Sequence, residues 1–288
     1  MRAAVDIGSN TVQMLAGQIC NGQVIPQYTF LTTTRLGDLA APGILSPQSI
    51  EATVAALLEI KRILDAASIN EVYVVATSAV REAANRQELI NRVEEACLWQ
   101  IEILRGDEEA ALSFLGASSL VKDQDCLMMD VGGGSSEIIF RQADRLQIVS
   151  VEMGAVRAKK AAWDRAEIKS RLEKTSFPFR IEVNNIKVVG IGGSFTSAVA
   201  VLHGLSQYDR KFVHGKICTY EQFQELWAIL EPLSEAERCA YSPLLRKRGE
   251  IVVQGLAIIL SLMEVFSIRQ LLVSDAGILD GILLQKER

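Results

Sequence analysis

Apolar runs that end in glycine-rich turns recur along this 288-residue chain, with helical stretches between them. Ala3–Asp6 is a short apolar run, Gly8-Ser9-Asn10-Thr11 follows it, and Val12–Ala16 is apolar again. That pattern predicts strand, tight turn, strand. Asn21-Gly22 then marks a two-residue hairpin, since a type I′ turn needs two residues that tolerate positive φ. Ser46-Pro47 opens a helix whose apolar face is Ile50, Val54, Leu57, Leu58 and Leu64, with Ser46 as its cap and Pro47 in its first turn. Val72–Ala76 reads as a strand, Arg86–Leu98 as a helix, and Asp107–Leu115 as the start of another.

The opening pattern then returns. Leu127–Val131 is an apolar strand containing Asp130, Gly132-Gly133-Gly134-Ser135-Ser136 is a turn, and Glu137–Phe140 and Leu146–Val151 are strands. Asp-x-Gly-Ser-Asn at 6–10 becomes Asp-x-Gly-Gly-Gly-Ser at 130–135, which suggests an internal duplication. A third strand-to-glycine junction runs from Val188–Ile191 into Gly192-Gly193-Ser194, with a helix from Phe195. Trp163–Thr175, Tyr220–Leu230, Glu250–Phe266 and Gly277–Leu284 read as helices and Gln270–Val273 as a strand. Strands mixed with helices throughout make the class α/β. The small and polar residues of Leu115–Asp125 place a boundary there, giving units 1–118 and 119–288, with the last helix (275–288) a candidate to rejoin the first unit.

Composition narrows the function. Hydrophobic residues make up 49% and charged residues 23%, and the formal net charge is -5. A duplex nucleic-acid binder would carry a basic surface, which this balance does not imply. An acidic chain that handles a polyanion must gather positive groups locally. The five cysteines are scattered without a CxxC pair and the two histidines are too few for a histidine-rich zinc site. Free thiols suit a reducing, cytoplasmic setting. Asp6 interrupts any leader-like apolar core. Ile251–Phe266, the most apolar stretch, is broken by Gln254, Gly255 and Glu264, so a buried helix fits it better than a membrane span.

Three glycine-rich turns after apolar strands point to phosphate chemistry. Bare backbone lets an anion approach, and successive N–H groups form nests for its oxygens. Gly8, Ser9, Asn10 and Thr11, then Gly132, Gly133, Gly134 and Ser135, then Gly192, Gly193 and Ser194 are the candidate cradles. No Gly-Lys-Ser/Thr follows any of them, and Gly132–Gly134 leads into a strand, so neither the Walker nor the dinucleotide fingerprint applies. Asp6 and Asp130 at strand ends suit Mg²⁺, and Glu137 could share that ion; turn capping is the plainer role for the aspartates. Asp107, Glu108 and Glu109 open a helix, where acids complement the dipole. One of them is a candidate general base, and spacing does not choose among them. Arg81 and Arg157 are candidate phosphate clamps.

Taken together, VDIGSNT at 5–11, TTRLG at 33–37, ATSAVREAANRQE at 76–88, RGDEEAALSFLG at 105–116, MDVGGGSSEI at 129–138, Gly154–Arg157, Gly190–Thr196, His214-Gly215 and SDAGILDGIL at 274–283 resemble the exopolyphosphatase / guanosine pentaphosphate phosphohydrolase family, within the actin and sugar-kinase superfamily. The resemblance spans the chain and implies two ribonuclease-H-like lobes with a cleft between them. It implies Glu109 as general base, Glu137 as a metal- or water-positioning acid, Asp130 as a metal-associated aspartate and Arg81 as a phosphate-proximal arginine. The activity it implies is Mg²⁺-dependent release of terminal phosphate from polyphosphate or guanosine pentaphosphate, with homodimers among family members. Ser136 stands where threonine is usual and Asp107 where glutamate is frequent. The longer members carry an extra C-terminal helical region, so this chain resembles a short form. A kinase of the same superfamily and a polyphosphate- or alarmone-binding sensor without turnover are the rival readings.

Overall fold

The computed structural model describes residues 1–122, 124–143, 145–179 and 186–286, without the side chain of Lys247. The chain forms two compact units, one of Met1–Gly116 together with the helix from Ile278, the other of Ala117–Gly277.

In the first unit, β1 (Arg2–Ile7), β2 (Thr11–Cys20) and β3 (Gln23–Thr33) form an antiparallel meander. The predicted hairpin joins β2 to β3, with Asn21 at φ 51 and Gly22 at φ 72. A small pair, β4 (Leu39–Ala41) and β5 (Ile44–Leu45), precedes α1 (Pro47–Ala66). Ser46 caps α1 by accepting from the Ser49 N–H at 3.1 Å. Then come β6 (Val72–Ala76), α2 (Ser78–Glu82), α3 (Arg86–Cys97), β7 (Ile101–Ile103) and α4 (Gly106–Ala117). β6 and β7 run parallel to β1, giving the sheet order β3-β2-β1-β6-β7.

The second unit repeats that order. β8 (Cys126–Val131), β9 (Ser136–Gln142) and β10 (Arg145–Val151) are the meander, followed by α5 (Ala155–Lys160), α6 (Arg165–Lys174), β11 (Lys187–Ile191), α7 (Gly193–Leu202), α8 (Arg210–Val213), β12 (Lys216–Thr219), α9 (Tyr220–Leu230), α10 (Glu235–Tyr241), α11 (Val252–Val265) and β13 (Gln270–Ser274). β11 and β13 run parallel to β8 and β12 is an antiparallel edge, so the order is β10-β9-β8-β11-β13-β12. A three-strand antiparallel meander extended by parallel strands, with helices between them, is the ribonuclease-H-like arrangement. Its occurrence twice gives the internal repeat of the sequence a structural counterpart.

Strand alternation sets which residues share each face of the sheets. On β1, Ala3, Val5 and Ile7 enter the core packed by α1 and α3, whereas Ala4 joins Leu15, Val75, Leu104, Leu112, Ile282 and Leu283 on the opposite face. Asp6 therefore shares the face that carries α4 and the C-terminal helix α12 (Ile278–Gln285). On β8, Leu127, Met129 and Val131 enter the core of the second unit, with Ile138 and Phe140 of β9, which leaves Asp130 and Glu137 on the other face. α11 is buried along most of its length and has 14 residues. No helix among the described residues is long and apolar enough to cross a membrane.

Helical stretches read from the sequence are present, and Tyr220–Leu230 has the expected bounds. The short helices α2, α5, α8 and α10 carry too few residues to show a helical period, and the sequence pattern did not reveal them.

Candidate active site

The two aspartate loops are built alike. The Gly8 N–H donates to the Thr11 carbonyl at 3.0 Å, and the Gly132 N–H donates to the Ser135 carbonyl at 3.1 Å. A Cβ at either glycine would lie 3.2 Å from that carbonyl oxygen. Each loop is thus a closed turn. Among the described residues, no partner takes the N–H of Ser9, Asn10, Gly133, Gly134 or Ser135. Runs of such donors bind anionic oxygens.

Other segments hold both turns. In the first, the Ser9 hydroxyl meets the Ser78 hydroxyl at 2.9 Å. The Asn10 carbonyl accepts from the Thr34 and Arg35 N–H groups, and the Ser9 carbonyl from that of Gly37. The TTRLG segment is therefore the brace of the first loop. In the second, the N–H groups of Ala155, Val156 and Arg157 donate to the carbonyls of Gly132 and Gly133 at 2.8–3.1 Å. Gly154 makes this possible, because a Cβ there would lie 2.3 Å from the Gly133 carbonyl carbon and oxygen. The Arg157 Nε donates to the Gly134 carbonyl at 2.8 Å. Arg157, a candidate clamp from the sequence, acts here as a support of the loop.

Geometry separates the three acids that open α4. Asp107 pairs with the Arg105 guanidinium at 3.0 Å and its side chain is 59% exposed. Glu108 accepts from the Arg105 N–H at 2.8 Å, as an N-terminal cap does, and pairs with the same guanidinium. Glu109 alone turns inward: its side chain is 15% exposed and meets Arg81 Nη1 at 3.3 Å. Arg81 also donates to the Leu104 carbonyl at 2.8 Å, so α2 and α4 are joined through it. A guanidinium carries five N–H donors, and Nη1 holds both of these contacts. The arrangement is an oriented carboxylate beside a cation.

Glu137, a charged residue on a strand that could have faced solvent, is 1% exposed. It sits directly across the β8–β9 ladder from Asp130 and across the β9–β10 ladder from Ser150, whose hydroxyl donates to it at 2.8 Å. Facing carboxylates on adjacent strands repel each other unless a proton or cation lies by them. The oxygen donors of Asp130 and Glu137 suit Mg²⁺, which takes one or two carboxylates and completes its shell with water and substrate oxygens. Among the described residues, no three His, Cys, Asp or Glu are grouped so as to hold an ion unaided. Asp6 has Gln13 opposite it where Asp130 has Glu137, so the first loop presents one carboxylate and the second presents two.

The third glycine turn completes the second unit's set. Gly192 has φ 89, and a Cβ there would lie 2.4 Å from Asp130 Oδ1. Only glycine leaves that carboxylate where it is. Across Gly193 lies the guanidinium of Arg248, 2.1 Å from where a Cβ would stand. Burial pushes the Arg248 pKa down, against the opposing influence of Tyr208, and no acid of the described residues pairs with this cation. Sequence reasoning missed Arg248. It sits in a run of basic residues, Arg246-Lys247-Arg248, and only its long-range contact with Gly193 distinguishes it. Nearby, Asp275 pairs with Arg210 at 2.9 Å and accepts from the Tyr208 hydroxyl. Burial, and then Arg210, push His214 below the usual imidazole range, so it is neutral near pH 7.

The sequence pattern of the Ppx/GppA phosphatase family matches residues 30–288. This chain belongs to the Ppx/GppA phosphatase family. Exopolyphosphatase 2 of Mycobacterium tuberculosis is 26% identical, over 98% of this chain and 97% of its own length. The bifunctional 3-dehydroquinate synthase/phosphatase of Fusobacterium nucleatum is 25% identical over 99% of this chain, which spans 46% of that protein. The crystal structure of the Aquifex aeolicus Ppx/GppA family member superimposes with a TM-score of 0.80 at 26% identity, covering 99% of this chain and 96% of that one.

Proposed function

We propose that this chain is a phosphoanhydride hydrolase that releases the terminal phosphate of inorganic polyphosphate, with guanosine pentaphosphate as a second substrate. One observation carries the reading: of the three acids that open α4, Glu109 alone turns inward, onto Arg81. A structural helix start would need none of them turned in, because dipole complementarity is satisfied at the surface. The family membership and the curated exopolyphosphatase relative agree with this chemistry.

Glu109 acts as the general base. It takes a proton from a water that attacks the terminal phosphorus, the bridging P–O bond breaks, and inorganic phosphate and the shortened chain leave. Arg81 holds the Glu109 carboxylate in place and offers its remaining donors to phosphate oxygens. The amides of the Gly8–Thr11 loop and those of the Gly132–Ser135 loop are each donors for phosphate oxygens, and Arg248 adds positive charge at the Gly193-Ser194 turn. Asp130 and Glu137 of the second unit are the residues to hold Mg²⁺ or another divalent cation, which would neutralise phosphate charge when bound; Asp6 is the candidate metal carboxylate of the first unit. Phosphoryl transfer depends mainly on positioning and charge stabilisation, and these residues supply both.

The experiment is phosphate release from polyphosphate and from guanosine pentaphosphate, side by side, for wild type, Glu109→Gln and Glu108→Gln. Removing a general base costs about 10²–10⁴-fold in rate. Glu109→Gln should lose that much and Glu108→Gln should stay near wild type. Equal rates for wild type and Glu109→Gln would end the assignment. Tight polyphosphate binding without turnover in wild type would instead support a sensor.

A further inference from the structure

The helix that carries Glu109 packs, one turn further on, against a glycine of α12. α12 crosses α4 so closely that a Cβ on Gly281 would lie 1.9 Å from the Leu112 carbonyl oxygen, 2.6 Å from its carbonyl carbon and 3.0 Å from its Cα. This is a backbone-to-backbone contact, so no rotamer change relieves it. Leu112 stands one turn beyond Glu109, about 4.5 Å along the axis. α12 cannot give way on its other side. Ile282 and Leu283, 2% and 1% exposed, seat it on Ala4 and Leu15 of the sheet, in the apolar cluster that also contains Leu112. A glycine inside a helix is also a poorer helix former than alanine, so local propensity does not explain it.

We infer that Gly281 is a positioning residue for the Glu109 base: the α12–α4 crossing it permits fixes the depth of α4 against the sheet, and with it the reach of Glu109. The inference rests on the hydrolase reading above. An alanine methyl needs roughly 3.4 Å or more from the carbonyl oxygen it now would meet at 1.9 Å, so α4 must retreat by about 1.5 Å. Displacement of a catalytic group by about 1 Å costs on the order of 10²-fold in rate.

The test compares Gly281→Ala with Gly17→Ala. A Cβ at Gly17 would meet the Ile25 carbonyl oxygen at 2.4 Å, a backbone clash in the same unit but in the β2–β3 ladder. Polyphosphate hydrolysis should show kcat reduced about 10²-fold for Gly281→Ala with KM within about twofold, and the crystal structure of that variant should show Glu109 drawn away from Arg81, beyond the present 3.3 Å. Gly17→Ala should lower the unfolding midpoint with kcat retained. Wild-type kcat in Gly281→Ala, with the Arg81–Glu109 contact intact, overturns the inference and leaves the hydrolase reading standing. A wild type without hydrolase activity removes that reading, and the crystallographic distance still decides the positioning claim. If Gly281→Ala does not fold, hydrogen exchange on the wild type decides: amides of Ser113–Ala117 and Ile282–Gln285 should open at a common rate, and α4 exchanging freely over a protected α12 refutes the coupling.

Discussion

Replacing Gly192 by alanine puts a methyl group 2.4 Å from Asp130 Oδ1 and 3.1 Å from the Val131 carbonyl oxygen. An ordinary contact needs roughly 3.4 Å, so the carboxylate must move by about 1 Å. The backbone adds its own cost, since φ 89 and ψ 169 at Gly192 lie in a region that a residue with a Cβ occupies only at about 1–3 kcal/mol. For a unit of this size each kcal/mol corresponds to roughly 2–4 °C in midpoint, so calorimetry should show a fall of roughly 5 °C. Moving Asp130 by about 1 Å should lower kcat/KM for polyphosphate hydrolysis on the order of 10²-fold, and titration with Mg²⁺ should require a higher concentration for half-maximal rate. Gly204→Ala separates the two causes. Gly204 has φ +63 with nothing within 4 Å of its Cβ position, so alanine there carries about 1 kcal/mol of backbone strain and displaces no functional group. Its activity should match wild type. If Gly192→Ala kept both its rate and its Mg²⁺ requirement while Asp130 was displaced in its crystal structure, Asp130 would have no part in the chemistry.

Two further outcomes follow from the second unit. Burial alone would raise the Glu264 carboxyl, but hydrogen bonds from Lys169, Tyr220 and Arg165 overrule it and hold it at about 2, below the ordinary 4.5. A carboxyl depressed on folding stabilises above its unfolded pKa and loses that contribution as pH falls from about 4.5 towards 2; here the contribution is on the order of 2 kcal/mol, and Glu264→Gln should flatten the acid limb of the stability curve. Gly154→Ala drives a methyl into the Gly133 carbonyl, so the unfolding free energy should fall by about 1–3 kcal/mol and phosphate release should fall with it; an active variant of native stability would show that the α5 brace is dispensable.

Much of the fold is legible in the sequence because its signals are local. The apolar strands, the Asn21-Gly22 hairpin, the Ser46-Pro47 helix start and the recurrence of Asp-x-Gly at 6 and 130 each rest on residues a few positions apart, whose backbone preferences do not depend on the rest of the chain. The aspartates and glycines of the three turns were legible for the same reason. Glu137 was legible as a candidate through its spacing, but its burial was not, because burial depends on β10 and on the face the strand turns inward.

What only the tertiary structure decided is which of several chemically equal residues meets what. Asp107, Glu108 and Glu109 are adjacent acids in a helix start. The rotation of α4 and the reach of Arg81, 28 residues earlier, choose Glu109 from among them. Arg157 and Arg248 are both arginines near glycines. Packing turns the first onto the Gly134 carbonyl and lays the second across Gly193. Gly154 and Gly281 look like ordinary glycines until the backbone they touch, at Gly133 and Leu112, is folded against them. Local sequence fixes backbone shape through short-range sterics, whereas a site is a set of long-range contacts, and those exist only once the sheets and helices have packed.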